Sequence, residues 1–280
     1  MSHVVFNTIV SHITYNNFLL DHNATEQAEL LKLKENYVVP LAGLLEKHNV
    51  SEYVELHLLH KHFDLEDDEV IMHRELHIPT VDSRQDLTVD IAKAVSYHTV
   101  NGTRALVPVS WMASPSGFLV PYEFAAQEGT ARKIAQLPTK VWNDFSQEFC
   151  SQLKAWGLEN LVSLKDKSCI NGAEYVAPGA RALFRVPLHA ITMQSGEPYI
   201  ESGWHVDTAV GPRADPRPMP ECTDGHKTKT RVTAGGTVAH YHVSSRHGVD
   251  AITREEMDPA YTSKIWDAVE SVQFFEVLAI

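Results

Sequence analysis

The chain has 280 residues, of which 44% are hydrophobic and 21% are charged. These proportions are those of an ordinary globular protein, so they exclude a wholly disordered chain and a fibrous repeat. The 36 acidic residues outnumber the 24 basic residues and give a formal net charge of −12. A nucleic acid or an anionic membrane is therefore not an expected partner, because binding phosphates requires a basic surface.

The cysteines and the N-terminus predict a cytoplasmic protein. Cys150, Cys169 and Cys222 are odd in number and show no CxxC spacing, unlike a secreted disulfide framework or a zinc finger. The first residues lack the basic and apolar regions of a signal peptide, and no run approaches the ~20 apolar residues of a membrane span. We expect a single domain over residues 1–280 that does not enter a membrane.

In chain order, the first predicted elements are two helices. Residues 24–36 are rich in Glu, Leu and Lys, and Asn23 and Thr25 are the candidate N-caps. Pro40 suits the first turn of a second helix that continues over residues 41–49.

Strands are predicted between residues 51 and 124. The runs YVELHLLHKHF and VIMHRELHI flank the acidic segment LEDDE, which predicts a β-hairpin with an acidic tip; a helix is the alternative for the first run. Three further runs predict strands over 88–100, 104–112 and 118–124. Turn signals separate them at Asn101-Gly102 and at residues 114–117.

The clearest predicted helix covers residues 139–156, because its large apolar residues recur at helical spacing and form one face. These residues are Val141, Trp142, Phe145, Phe149, Leu153 and Trp156. Pro138 precedes the helix and Gly157 follows it, as expected at helix borders. Cys150 lies near the apolar face, so we expect it in the core and not as a nucleophile.

The C-terminal part combines strands, a long loop and a final helix. Strands are predicted over residues 160–166, 180–191, 198–207 and 231–245, and a helix over 253–272. Residues 208–230 are rich in proline and lack apolar periodicity, which predicts a long loop and a candidate active-site cover. Clustered strands with helices at the ends favour an α+β fold: a curved antiparallel sheet flanked by N-terminal, central (about 139–156) and C-terminal helices.

Histidine is unusually frequent, with 16 copies, and two HxH pairs attract attention. Residues two apart on a strand project from the same face, so His60 and His62 are expected side by side, as are His240 and His242. By the same rule, His57 is expected on the opposite face from His60. These four paired histidines, His60, His62, His240 and His242, are the candidate metal ligands.

A third pattern is the HxD pair formed by His205 and Asp207, which supplies two of the three ligands of a 2-His-1-carboxylate site. We take both as candidate catalytic residues. In contrast, His73 and His77 share a face with Glu75 and are predicted on the solvated side of the hairpin.

Together these patterns predict a metal-dependent enzyme that acts on a small organic substrate. A zinc hydrolase and a non-haem iron oxidoreductase both fit, because each uses imidazole and carboxylate ligands and leaves coordination positions open. One alternative is a metal-free acid–base enzyme (a lyase, isomerase or hydrolase) that uses His205 or His60. Another is a non-catalytic binding protein or a structural homo-oligomer, in which histidines serve packing and pH response.

Overall fold

The computed structural model describes most of the first 169 residues and five shorter segments after them. The described ranges are 9–78, 87–97, 106–126, 133–169, 173–177, 181–186, 200–205, 224–232 and 238–244. Within these ranges, no helix has both the length and the apolar character needed to cross a bilayer.

The described helices fall into two groups. The N-terminal group comprises α1 (His12–Asn16), α2 (Asp21–Leu30), a π-helical turn (Lys34–Val38) and α3 (Val39–Lys47). A short 3-10 helix (Lys133–Gln136) precedes the central helix α4 (Thr139–Trp156). Helices were predicted near the N-terminus and over 139–156, and both predictions are confirmed; α1 and the 3-10 helix were not predicted. The predicted C-terminal helix at 253–272 lies outside the described residues.

Helix α4 has the predicted borders, and its sequence explains them. Phe145, Phe149 and Leu153 are completely buried and lie at helical spacing. Gly157 ends the helix in the left-handed conformation, with φ of 69°. The following residue, Leu158, then donates its backbone N–H to the carbonyl oxygen of Leu153 at 2.9 Å, which closes the last turn.

The predicted N-caps of α2 are wrong. The helix begins at Asp21, so Asn23 and Thr25 lie inside it, and Leu20 occupies the N-cap position without a side-chain bond. Tertiary packing explains the difference, because Leu20 forms a backbone bridge with Lys61 and Thr25 is completely buried. Pro40 lies in the first turn of α3, as predicted.

Within the described ranges, eleven strands form one sheet. They are β1 (Val54–Leu58), β2 (Glu69–Ile78), β3 (Leu87–Ser96), β4 (Leu106–Ala113), β5 (Leu119–Ala126), β6 (Val162–Asp166), β7 (Ala173–Ala177), β8 (Ala182–Val186), β9 (Ile200–His205), β10 (Asp224–Val232) and β11 (Val238–Ser244). Residues 224–230, at the end of the predicted loop over 208–230, belong to strand β10. Residues 208–223 of that loop lie outside the described residues.

The spatial order of the sheet is β11-β10-β9-β1-β6-β4-β5-β2-β3-β8-β7. All neighbours are antiparallel except β2 and β5, which run parallel. The sheet is strongly curled, and strands β7 and β11 at its two ends approach within 8 Å. The predicted α+β class with a curved sheet is thus confirmed, although the sheet is mixed.

The predicted hairpin between residues 53–63 and 70–78 is wrong, although both runs contain strands. Strand β1 pairs with β6 and β9, whereas β2 pairs with β3 and β5. Three strands, β6, β4 and β5, therefore separate β1 from β2 in the sheet. The segment between them crosses the molecule and does not form a tight turn.

The two faces of the sheet have different chemistry. One face, here called the helix face, carries Leu56 of β1 and Leu164 of β6, which pack against Leu45 of α3 and Phe149 of α4. Because side chains alternate along a strand, the residues between these apolar ones project from the opposite face. That opposite face carries an unusual series of polar side chains, and we call it the polar face.

Candidate functional site

A row of buried ionisable side chains crosses the polar face. Strand register brings Glu55 of β1 opposite Lys165 of β6, which in turn is opposite Ser110 of β4. Ser110 is opposite Glu123 of β5, and the row continues on β2 and β3. The five ionisable side chains and the Ser110 hydroxyl among them are at most 6% exposed; the six residues are Glu55, Lys165, Ser110, Glu123, His73 and Asp90.

His73 lies at the centre of this row between two carboxylates. Its Nδ1 atom is 2.9 Å from Oδ2 of Asp90, and its Nε2 atom is 3.3 Å from Oε2 of Glu123. A carboxylate oxygen only accepts hydrogen bonds, so both ring nitrogens must donate, which requires an imidazolium cation. Burial alone would lower the pKa of His73, but Asp90 and Glu123 raise it above its ordinary value.

Glu123 is the carboxylate to which most of these groups connect. Burial alone would raise its pKa, but the hydrogen bond and charge of His73 lower it strongly, with further contributions from Lys165 and His62. The hydroxyl of Ser110 also donates to Oε2 of Glu123 at 2.5 Å. Glu123 is therefore held as an anion, and His73 beside it is held as a cation.

Three histidines form a second group at the end of β1, and we call them the histidine cluster: His57, His60 and His62. The rings of His57 and His60 stack with centroids 5.4 Å apart, and those of His60 and His62 meet edge-on at 4.8 Å. All three side chains are buried. The charge of His62 acts on Glu123, so the cluster adjoins the ionisable row.

One carbonyl orients two of these rings. The Nδ1 atoms of His57 and His60 lie 2.8 Å and 2.9 Å from the carbonyl oxygen of Leu58. Since a carbonyl only accepts, both Nδ1 atoms carry the proton. In the neutral form of each ring, Nε2 then has the lone pair that a general base or a metal ligand uses.

Tyrosine hydroxyls lie beside the cluster. The Tyr122 hydroxyl donates to Oγ of Ser163 at 3.2 Å, and Ser163 donates to the carbonyl oxygen of His57 at 3.1 Å. The Tyr15 hydroxyl accepts the backbone N–H of His62 at 3.3 Å. Burial raises the pKa of Tyr15 well above its ordinary value, and the nearby Glu123 anion adds to this.

β-Bulges explain why Tyr122 and Glu123, neighbours in sequence, serve the same site. Ser110 is paired with Glu123, but the next residue, Trp111, is paired with Pro121, so Tyr122 is an extra residue in β5. Such a bulge redirects side chains that regular alternation would place on opposite faces. Pro121 adjoins this irregularity, at which a strand tolerates the missing N–H of a proline.

The predicted ligands His60 and His62 are buried together, but the predicted face of His57 is wrong. The regular strand ends at Leu58, and beyond it the chain turns so that His60 joins His57. Period-two alternation ceases to apply where the strand stops.

The other predicted site residues are described only in part. His205 ends β9, opposite Asp224, and His240 and His242 lie in β11, opposite Thr230 and Thr228. Strands β9 and β10 lie between β1 and β11, so the backbones of β1 and β11 are three strand spacings, about 14 Å, apart along the sheet. Asp207 lies outside the described residues.

Sequence reasoning missed the central residue of the site. His73 was predicted on a solvated face, but it is 1% exposed, while Glu75 on the same strand is exposed. That prediction is wrong because alternation shows only that His73 and Glu75 share a face; at His73 that face is buried, and Asp90 and Glu123 enclose the ring. One available signal was the pair of prolines, Pro108 and Pro121, inside predicted strands, which indicates bulges.

Among the described side chains, no group of three or more His, Cys, Asp or Glu residues is arranged to hold a metal ion. A comparison with protein-family models, curated proteins and solved structures finds no match for this chain.

Proposed function

We propose that this protein is an enzyme that performs metal-free acid–base chemistry on a small, uncharged organic molecule at the polar face. One observation supports this most: six adjoining strands carry a single row of buried polar side chains, and all of these except Ser110 are ionisable. Burying a charged side chain costs roughly several kcal/mol before pairing with an opposite charge offsets the penalty. Proteins in which apolar residues replace such a buried pair are often more stable. Rows of this kind with perturbed pKa values are typical of functional sites.

The histidine cluster supplies the base in this proposal. Nε2 of His60, with Nδ1 held by the Leu58 carbonyl, accepts a proton from the substrate, and His57 beside it has the same orientation. The Tyr122 hydroxyl is the candidate acid. The charges of the ionisable row are fixed before the substrate binds. Their electric field therefore stabilises the charge that develops on the substrate during proton transfer.

The charge of the row favours an uncharged substrate. Glu55, Glu123 and Asp90 contribute three formal negative charges, and Lys165 and His73 contribute two positive ones, so the row has a formal charge of −1. An anionic substrate would be repelled in this buried setting. A carbonyl compound or ester without charge meets no such penalty.

The test combines metal analysis with a proton-exchange assay. Protein purified without a polyhistidine tag is analysed for metals and then incubated in D₂O with neutral ketones, esters and lactones, and deuterium incorporation and hydrolysis are followed by NMR. We expect no stoichiometric metal, turnover of at least one substrate class, and a loss of 10²–10⁴-fold in the His60→Gln variant.

The matched control is His48→Gln, because His48 lies on the helix side, where it contacts Phe145 and bonds Glu148. This variant is expected to keep full activity. Equal activity of His60→Gln and wild type would contradict the proposal, as would stoichiometric metal that disappears in His60→Ala.

That last result would instead support a metal-dependent enzyme, the second candidate. The favourable observation is that a backbone carbonyl holds Nδ1 of His57 and His60, since metal-binding histidines usually donate their other N–H in this way. A zinc or iron ion would then need a ligand whose side chain lies outside the described set; the candidates are His205, Asp207, His240 and His242.

A further inference from the structure

We infer that the N-terminal segment, residues 9–20, is a detachable cover over the histidine cluster that opens to admit the substrate. We call this segment the cover. The purpose of its opening rests on the proposed function, but its detachment is measurable without any substrate.

The cover lies directly on the polar face. Tyr15 is completely buried, and its hydroxyl meets the backbone N–H of His62 at 3.3 Å. Phe18 packs edge-on against Tyr122 with ring centroids 5.6 Å apart. The cover therefore contacts both the histidine cluster and the candidate acid, and water or substrate would reach them if it moved away.

The cover has fewer backbone hydrogen bonds to its neighbours than the strands beneath it. The strands of the row are hydrogen-bonded on both sides, whereas the cover has backbone bonds to the rest of the molecule at its two ends, from Val10 to Pro121 and from Lys61 to Leu19. Its helix α1 has only five residues, so it depends on packing for its stability. Segments with few backbone bonds open at lower free energy than central strands.

A polar clasp holds the cover near its C-terminal end. The side chain of Asn16 donates from Nδ2 to the carbonyl oxygen of Leu65 and accepts the N–H of Leu65 at Oδ1, both at 2.8 Å. Nζ of Lys61 donates to the backbone carbonyl of Asn16 at 2.6 Å and also contacts Asp64. The clasp joins the cover to the segment that carries His60 and His62.

The first test is the Asn16→Ala variant, read by exchange of the imidazole C2 hydrogens with D₂O and mass spectrometry. Loss of both Leu65 bonds is expected to accelerate exchange at His57, His60 and His62 about tenfold or more. Exchange at His73, which lies deeper between Asp90 and Glu123, should remain at the wild-type rate. The matched control is Asn36→Ala, which removes a local bond to Leu31 on the surface and should leave all rates unchanged.

The second test locks the cover reversibly and compares the oxidised and reduced forms of one variant, so the loss of the Lys61 bonds to Asn16 and Asp64 is the same in both. Leu20 and Lys61 are partners in a backbone bridge, at a separation that a disulfide spans. In the Leu20→Cys/Lys61→Cys variant, oxidation is expected to slow exchange at the histidine cluster at least tenfold, and reduction should restore it.

The outcomes separate the two proposals. If the cluster and His73 accelerate together in Asn16→Ala, or if the oxidised variant exchanges as fast as the reduced one, the cover is not a separate opening unit and the inference is overturned. If the cover opens as expected but His60→Gln leaves turnover unchanged, only the proposed function fails.

Discussion

The imidazole of His73 and the carboxylate of Asp90 meet at 2.9 Å across two neighbouring strands, and both residues are buried. In the strand register, His73 is opposite Ala92, so the contact with Asp90 is diagonal. Because the other ring nitrogen donates a hydrogen bond to Glu123, the histidine is fixed as a cation between two anionic partners.

This geometry predicts a large stability loss in Asp90→Ala. The change leaves a buried imidazolium with one partner, and breaking a buried ion pair from one side typically costs about 3–5 kcal/mol. The free energy of unfolding from urea titrations at pH 6 measures the effect. A loss below about 1 kcal/mol, the range of exposed pairs, would contradict a charged His73.

The same groups predict how stability depends on pH. The pKa of His73 is raised in the fold, so its contribution is complete below its ordinary pKa of 6.5 and is lost as the pH rises through the raised value. The pKa of Glu123 is lowered from 4.5, so its contribution is present above pH 4.5 and is lost as the pH falls. The free energy of unfolding should therefore be highest between these values.

The variant His73→Gln isolates the alkaline part of this profile. Between pH 6.5 and 9, the decline in unfolding free energy should be smaller in His73→Gln than in wild type. Identical slopes for the two proteins would show that His73 does not change its proton affinity on folding.

An exposed ion pair should behave differently. Hydrogen bonds from Lys47 and His48 lower the pKa of Glu148, which links α3 to α4 at the surface. Because water screens these charges, Glu148→Gln is expected to reduce the unfolding free energy by only about 0.5 kcal/mol. The difference should shrink in 1 M NaCl, and persistence at high salt would argue against screening.

Cys150 is expected to be chemically inert in the folded protein. It is 3% exposed, and burial raises the pKa of its thiol to about 11. Iodoacetamide at pH 8 should therefore label it only after unfolding in urea, as peptide mass mapping would show. Rapid labelling of the native protein would show that iodoacetamide can reach the buried face of α4.

Gly157 offers a test of backbone conformation alone. Its φ of 69° favours glycine, while a Cβ placed there would meet no atom within 4 Å. Gly157→Ala is thus expected to lose about 1 kcal/mol through conformation and not through steric clash. Thermal unfolding checks this, and an unchanged midpoint would mean that the helix end relaxes without cost.

The fold was predictable where local periodicity determines it. Helix α4 reads directly from its apolar spacing, because Phe145, Phe149 and Leu153 face one core. The pairing of β1 was not predictable in this way, because its partner β6 is more than 100 residues away and no local turn signal connects them. Two strands that are close in sequence are usually predicted to form a hairpin, but this prediction is wrong for β1 and β2.

The site was predictable only in part. His60 and His62 attracted attention through their spacing, and the structure buries them together with His57. Asp90 and Glu123 look in sequence like ordinary solvent-facing charges within strands. Only the tertiary arrangement shows that both are buried and bonded to one imidazole, since alternation reveals that two faces differ but not which face is covered.

The pairing of His57 in β1 with Ser163 in β6 also has a consequence for how the chain reaches its native state. The N-terminal half cannot complete the sheet during synthesis until β6, and then β9, have left the ribosome. Contacts between such distant segments require long-range chain closure, which is typical of slow folding. We therefore expect refolding from urea on the scale of seconds, with β1 protected from exchange only after β6 has docked.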